Sequence, residues 1–409
     1  MKETKFKDTE IGRIPEEWET LYIHQITEIS TGATPSTNIN EYWENGTIRW
    51  MSSGELNNKI IYDVNGRITQ KGYDNTGTHM LPKNCVLIGL AGQGKTRGTA
   101  AYNKVELCTN QSIAAILPNS KYESKYLYFY IDSLYDKLRL LSAGDGGRGG
   151  LNKQILQNLE IAMPPLNEQH HIASALTSID NLIASLGKMI EKKKNIKQGA
   201  MQQLLTGKTR LKGFTEPWVY RKISEIATTS SGGTPSRSIP NYYYGDIKWF
   251  TTTELKDNYL YDSVEHITRE ALNNSSAKMF SANTILMAMY GATIGKLGVL
   301  KEPSTTNQAC CAIKCNDIVE IFLFYILLYN RKSIIEKGCG AGQPNISQAI
   351  VNELSFLVPP CEKEQQAIAT ILTKMDDEIT ALEAKRAKYE AIKQGMMQQL
   401  LTGKIRLIS

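Results

Sequence analysis

The sixteen residues Ile196 to Leu211 read IKQGAMQQLLTGKTRL, and Ile392 to Leu407 read IKQGMMQQLLTGKIRL. Fourteen positions are identical at a constant offset of 196, so the chain is built twice from one plan. Fainter echoes extend the repeat. Ile14-Pro15-Glu16-Glu17-Trp18 is answered by Thr215-Glu216-Pro217-Trp218, and Thr31-Gly32-Ala33-Thr34-Pro35-Ser36 by Ser231-Gly232-Gly233-Thr234-Pro235-Ser236. Ile48-Arg49-Trp50-Met51 returns as Ile247-Lys248-Trp249-Phe250, Asn110-Gln111-Ser112 as Asn307-Gln308-Ala309, and Met163-Pro164-Pro165 as Val358-Pro359-Pro360. The offset drifts between 200 and 195, which places small insertions in loops.

Each half, roughly 200 residues long, can bury a core of its own. Hydrophobic content of 41% and charge of 22% are those of a soluble globular protein. A net charge of +6 permits a nucleic-acid partner without arguing for one. The opening MKETKFKDTEIG lacks the apolar run of a signal peptide, and the apolar stretch Ile318–Tyr329 is too short to span a membrane. Seven cysteines, an odd number without framework spacing, fit a reducing cytoplasm.

Four segments are expected: a globular domain over 1–163, a helical segment over 164–212, a second globular domain over 213–358 and a second helical segment over 359–409. The globular parts read as mixed α/β. Cys85–Leu90, Ser112–Leu117, Thr284–Met289 and Ala309–Lys314 are short apolar runs bounded by turn residues, as strands are. Tyr126–Leu141 is amphipathic and predicts one helix, stopped by the glycine-rich stretch from Ser142 to Gly150.

The Pro-Pro pairs then open long helices. Their apolar stripes run Ile172, Leu176, Ile179, Ile183, Leu186, Ile190 and Ile368, Leu372, Met375, Ile379, Leu382, with the alternating spacing of a heptad seam. Lys193 and Lys197, then Arg386 and Lys393, interrupt the stripes before Ala200 and Leu204, Met396 and Leu400 resume them. Gly207 and Gly403 stand where a helix ends in a left-handed residue. Such a stripe needs a partner. The two copies packing on each other is the better reading than each helix lying on its own globule, and chain order then favours an antiparallel pair over a parallel one. About 35 residues of helix span about 50 Å, against about 34–36 Å for one turn of B-DNA. The lysines in the seam predict that the later part of each helix meets a further surface.

Gly89-Leu90-Ala91-Gly92-Gln93-Gly94-Lys95-Thr96 fits the phosphate-binding loop pattern after a strand-like run. Arg97-Gly98-Thr99 is a poor helix start, and Tyr290 to Gly298 in the second half lacks the Ser/Thr, so an ATP-using enzyme is only the rival reading. Cys310, Cys311 and Cys315 lack a second ligand pair for zinc and read as buried strand residues; His170 and His171 read as solvated or capping groups. No catalytic constellation stands out. If the partner is DNA, the duplicated loops supply the candidate contacts: Thr34, Ser36, Arg49, Gln93, Lys95, Thr96, Arg97 and Arg148, then Thr234, Ser236, Lys248, Lys296 and Gln343. A protein scaffold that never touches DNA is the remaining alternative.

The residues resemble a known family, the specificity subunits of type I restriction–modification systems. The resemblance rests on the opening from Phe6 to Trp18, the two G-x-T-P-S loops and Gly92 to Gly98. It also rests on the Pro164–Gln169 helix start and the doubled Gln-Gln-Leu-Leu-Thr-Gly-Lys-x-Arg-Leu. It covers essentially the whole chain. Cys361-Glu362-Lys363-Glu364-Gln365 departs from the Leu-x-Glu-Gln form, and the loop at Gly291 lacks the Thr-Arg pair. The resemblance implies an α+β, internally duplicated fold with two target recognition domains separated by two long antiparallel coiled-coil helices under a pseudo-two-fold. Each domain would read one half of a bipartite, asymmetric double-stranded DNA target. The helices would set the gap and dock two modification (methyltransferase) subunits, with restriction subunits joining through them. It implies no catalysis and no cofactor on this chain, since S-adenosylmethionine, ATP and magnesium would belong to the partners.

Overall fold

Strands in the first half are short because turn residues cut the apolar runs every few positions. A computed structural model describes residues 4–92, 94, 96–142, 150–338 and 345–408. A five-stranded sheet takes the order Ile29–Thr31, Ile113–Ile116, Val86–Gly89, Ala100–Asn103, Ile60–Ile61. Its neighbours are antiparallel except the last pair. Side chains alternate across the pleat, and both faces are buried. Val86 and Ile88 join the core beneath the helix Ser124–Ser133, while Cys85 and Leu87 join a second cluster with Met51, Leu56 and Ile61. That double burial explains why these runs are continuously apolar.

The second half repeats the order with Ala227–Ser231, Cys310–Cys315, Ile285–Ala288, Leu297–Leu300 and Asn258–Leu260. Each half adds a three-stranded sheet around the Trp50 or Trp249 strand: Cys108–Thr109, Ile48–Met51 and Arg67–Ile68, then Glu265–Ile267, Ile247–Phe250 and Thr305–Thr306. Cys310 and Cys311 are buried strand residues as expected, with burial pushing both thiols up to about 12. The helix expected over Tyr126–Leu141 is instead two, Ser124–Ser133 and Tyr135–Leu141, broken at Leu134. The apolar run at Ile318–Tyr329 contains the helix Glu320–Tyr329, whose middle is buried in the second half's core. No helix among the described residues is long and apolar enough to cross a membrane.

The long helices run Leu166–Leu204 and Glu362–Leu400, 39 residues each. The chain divides into two units whose boundary falls inside both helices: Met1–Gly187 with Ala384–Ser409, and Lys188–Glu383. Each unit therefore holds the start of one helix and the end of the other.

The duplicated motifs meet in one joint per unit. In the first, the Glu168 carboxylate receives Arg406 Nε at 2.7 Å and Nη2 at 2.8 Å, and the Trp18 indole N–H at 3.0 Å. Gly403 is left-handed at φ 67°, and a Cβ there would collide with Pro15 and the Trp18 ring. In the second unit Glu364 receives Arg210 Nε at 2.6 Å, Nη2 at 2.8 Å and Trp218 Nε1 at 3.4 Å. The neighbouring glutamine splices each helix to its domain. Gln169 accepts from the Glu123 N–H and donates to Pro164 O, as Gln365 does with Val319 and Pro359.

Within each unit the helix segments are antiparallel. Asp180 pairs with Lys393 while Glu168 pairs with Arg406, and Asp376 pairs with Lys197 while Glu364 pairs with Arg210. The early seam residues serve the globular cores as well. Ile172 and Leu176 share a cluster with Met397, Leu400 and Leu401; Ile368 and Leu372 share one with Met201, Leu204 and Leu205. Ile179, Leu186 and Ile379 are also buried, whereas Ile183, Met375 and Leu382 are half-buried.

The seam lysines correct an expectation. Lys197 lies on Asp376 at 2.5 Å with its ammonium 5.2 Å over the Tyr325 ring; Lys393 lies on Asp180 at 2.6 Å, 5.5 Å from the Phe129 ring. Lys193 and Lys194 pair with Glu378 and Glu383. These cations are paired inside their own units, so they do not by themselves call for a further surface. Arg386 bonds along its own helix to Glu390 at 3.1 Å.

Candidate nucleic-acid interface

The register of each five-stranded sheet gathers the duplicated loops at one end. Gly89 lies opposite Ile113, and Ala114 opposite Thr31. The G-x-T-P-S loop, the Asn-Gln loop and the glycine-rich loop therefore leave the same edge. A Cβ on Gly32 would collide with the Thr109 carbonyl, and one on Gly232 with that of Thr306, so glycine permits this close approach. The Trp50 indole donates to Ala33 O at 3.0 Å and the Trp249 indole to Gly233 O at 2.9 Å.

On this frame Thr34 donates its hydroxyl to Gln111 Oε1 at 2.5 Å, and Thr234 does the same to Gln308. Ser36 is exposed and its carbonyl accepts from the Trp43 indole at 3.0 Å; Ser236 shares a 2.7 Å hydrogen bond with Ser238. Arg49 is drawn to Asp63 at 2.8 Å, and that hydrogen bond lowers the Asp63 pKa. Lys248 reaches Tyr261 O at 2.6 Å and Glu302 at 2.7 Å, and Lys296 meets Asp257 at 3.0 Å, where Arg331 also binds. These three candidate cations thus have carboxylate partners of their own. Arg97 directs Nη1 towards Ser142 Oγ at 3.5 Å, while its buried Nε has no partner among the described residues. Thr96 is half-buried and its carbonyl accepts from the Thr99 N–H at 3.1 Å. Gln93, Lys95, Arg148 and Gln343 lie outside the described residues.

The phosphate-loop pattern sits in the wrong setting for a nucleotide. Val86–Gly89 and Ala100–Asn103 are antiparallel neighbours, and the Gly98 N–H closes onto Gly89 O at 2.9 Å. Thr96 leads into a turn and a strand, not the helix whose first N–H groups would hold phosphates. The second half closes equivalently, with Gly295 N–H on Ala288 O at 2.8 Å. No group of ligands able to hold a metal ion occurs among the described residues.

Two exposed aromatics escaped the sequence reading. Tyr62-Asp63 and Tyr261-Asp262 recur at an offset of 199, and Tyr62 and Tyr261 are 69% and 66% exposed. The repeated Tyr-Asp dipeptide was the available signal. Gln111 and Gln308 were visible too, as part of the Asn-Gln echo, but their tie to the threonines is not a sequence feature.

Comparison with known proteins agrees with this duplicated plan. Residues 15–198 and 215–394 each match the family described as "Type I restriction modification DNA specificity domain". The MjaVIII type I restriction enzyme specificity subunit of Methanocaldococcus jannaschii is 28% identical, covering 99% of this chain and 97% of that protein. The EcoR124I/EcoR124II specificity subunit of Escherichia coli is 28% identical over 47% of this chain and 46% of its own length. The crystal structure of a type I system S subunit from M. genitalium shares the fold, with a TM-score of 0.63 at 16% identity, covering 94% of this chain and 96% of that one. With the family matched over both halves, this chain belongs to the type I restriction–modification DNA specificity family and carries its domain twice.

Proposed function

We propose that the chain is the non-catalytic DNA-reading subunit of a cytoplasmic type I restriction–modification complex. The domains over 1–163 and 213–358 each read one part of a bipartite, asymmetric duplex target. The long helices set the gap between those parts and dock two modification subunits, through which restriction subunits join. Methylation and cleavage, with S-adenosylmethionine, ATP and magnesium, reside in those partners, and this chain holds no cofactor of its own. The observation that carries the reading is the pairing of one preserved frame with divergent loops. Trp50 and Trp249, Thr34 and Thr234, and Gln111 and Gln308 repeat bond for bond. The side chains around them differ, as suits two modules reading different bases. Sequencing methylated bases in cells with and without the gene tests this. Loss of a bipartite modified motif is expected, and an unchanged methylome refutes it.

A further inference from the structure

Two domains that read different bases still meet identical chemistry in the sugar–phosphate backbone. A side chain held identically in both domains is therefore suited to the backbone and not to a base. Gln111 and Gln308 meet this condition. Both are exposed, both sit at the loop end of a five-stranded sheet, and each has its Oε1 occupied by a threonine hydroxyl. Their amide hydrogens meet no acceptor among the described residues, so each exposed amide keeps two N–H donors for a further acceptor.

In the second unit a lysine supplies positive charge. Lys278 donates to Ser230 Oγ at 3.0 Å, on the strand that leads into the second G-x-T-P-S loop. It is exposed and meets no carboxylate among the described residues, unlike Lys248 and Lys296. His79 holds Ser30 in the equivalent place of the first unit. The segments carrying them touch the loops: the ideal Cβ of Gly77 lies 3.9 Å from Ala33, and one on Gly233 would collide with Ser276.

We propose that Gln111 and Gln308, flanked by His79 and Lys278, are equivalent seats for a DNA backbone phosphate. Thr34 and Thr234 are the positioning residues that orient the two amides. This rests on the reading of the chain as a DNA recogniser. Each seat registers its domain on the duplex, and base choice falls to the neighbouring side chains that differ.

The test uses the full-length chain in complex with its modification subunits. The probes are duplexes carrying the motif found by methylome sequencing, or a scrambled motif. Gln308→Ala weakens both duplexes by about tenfold to a hundredfold, the worth of one hydrogen bond to a charged group. The preference for the motif stays unchanged, and Gln111→Ala behaves alike. Thr234→Val reproduces part of the loss and Thr234→Ser restores binding. Lys278→Met lowers the slope of log affinity against log salt by about one, whereas Gln308→Ala leaves the slope alone. A single neutral methylphosphonate at the seated position weakens the wild-type complex and costs Gln308→Ala less, the remaining cost being the charge met by Lys278. Wild-type affinity in both glutamine variants overturns the proposal, as does lost discrimination confined to one half of the motif, which would mark a base contact. If the wild-type complex shows no preference for the motif, the DNA-reading assignment falls as well.

Discussion

Replacing Glu168 by alanine should destabilise the first unit more than Glu364→Ala destabilises the second, although the two residues occupy the same place in the repeat. Glu168 and Arg406 have side chains only 1% and 7% exposed, and Trp18 is wholly buried. Without the carboxylate, the guanidinium keeps Glu17 at 2.8 Å and its place over the Trp18 ring, and the indole N–H loses its acceptor. Breaking one side of a buried pair costs about 3–5 kcal/mol. In the second unit Arg210 is 26% exposed and Trp218 half-buried, so water replaces much of what Glu364 gave. The loss there is about 1.5–3 kcal/mol, the range for hydrogen bonds to charged groups. Hydrogen exchange across a urea series, read by mass spectrometry on peptides from each unit, measures the two separately. Glu168→Gln, which keeps an acceptor for Trp18, should fall between wild type and alanine. Equal losses in the two units, or a loss below about 1 kcal/mol for Glu168→Ala, would show that burial does not govern this joint.

Charge in the seam should act unequally: Ile179→Asp, at a buried position, lowers stability by several-fold more than Met375→Asp, at a half-buried one, in the same exchange assay. Either change should cost recognition of the bipartite motif in a methylation assay, and unaltered methylation at the intact motif would refute the spacer role. Inserting four residues in one long helix should lengthen the gap between the two parts of the methylated motif; a constant gap would contradict the ruler. Burial raises the thiols of Cys85, Cys310 and Cys311 to about 12, so at pH 8 they remain protonated and iodoacetamide should spare them in the native chain while labelling the half-buried Cys361. Labelling of the three at the Cys361 rate would contradict their burial.

The repeats were legible because identical residues at a fixed offset must solve identical structural problems. Strands at Val86–Gly89 and Ile285–Ala288 followed from apolar runs between turn residues, within a residue at each end. The helix break at Leu134 was not, because Tyr126–Leu141 stays amphipathic through it and only tertiary packing sets the kink. Polarity misled at Lys197 and Lys393, since a heptad count scores them as gaps while Asp376 and Asp180 on the opposed helix make them part of the seam. The candidate site was legible as loops but not as contacts. Thr34 and Thr234 stand out by their motif, whereas the structure spends their hydroxyls on Gln111 and Gln308.

The interlaced make-up of the units puts a clock on synthesis. Residues 188–383 form an uninterrupted stretch, so the second unit can close as soon as that stretch emerges. The first unit cannot, because its core includes Met397, Leu400 and Leu401, which follow the whole of the second unit in the chain. At about 5–20 residues per second, the apolar surface around Ile172 and Leu176 stays open for about ten to forty seconds after its own domain has appeared. The half translated first is thus the half completed last. It is the one most dependent on chaperones during that wait, and the one most sensitive to loss of the turns that carry Met397, Leu400 and Leu401.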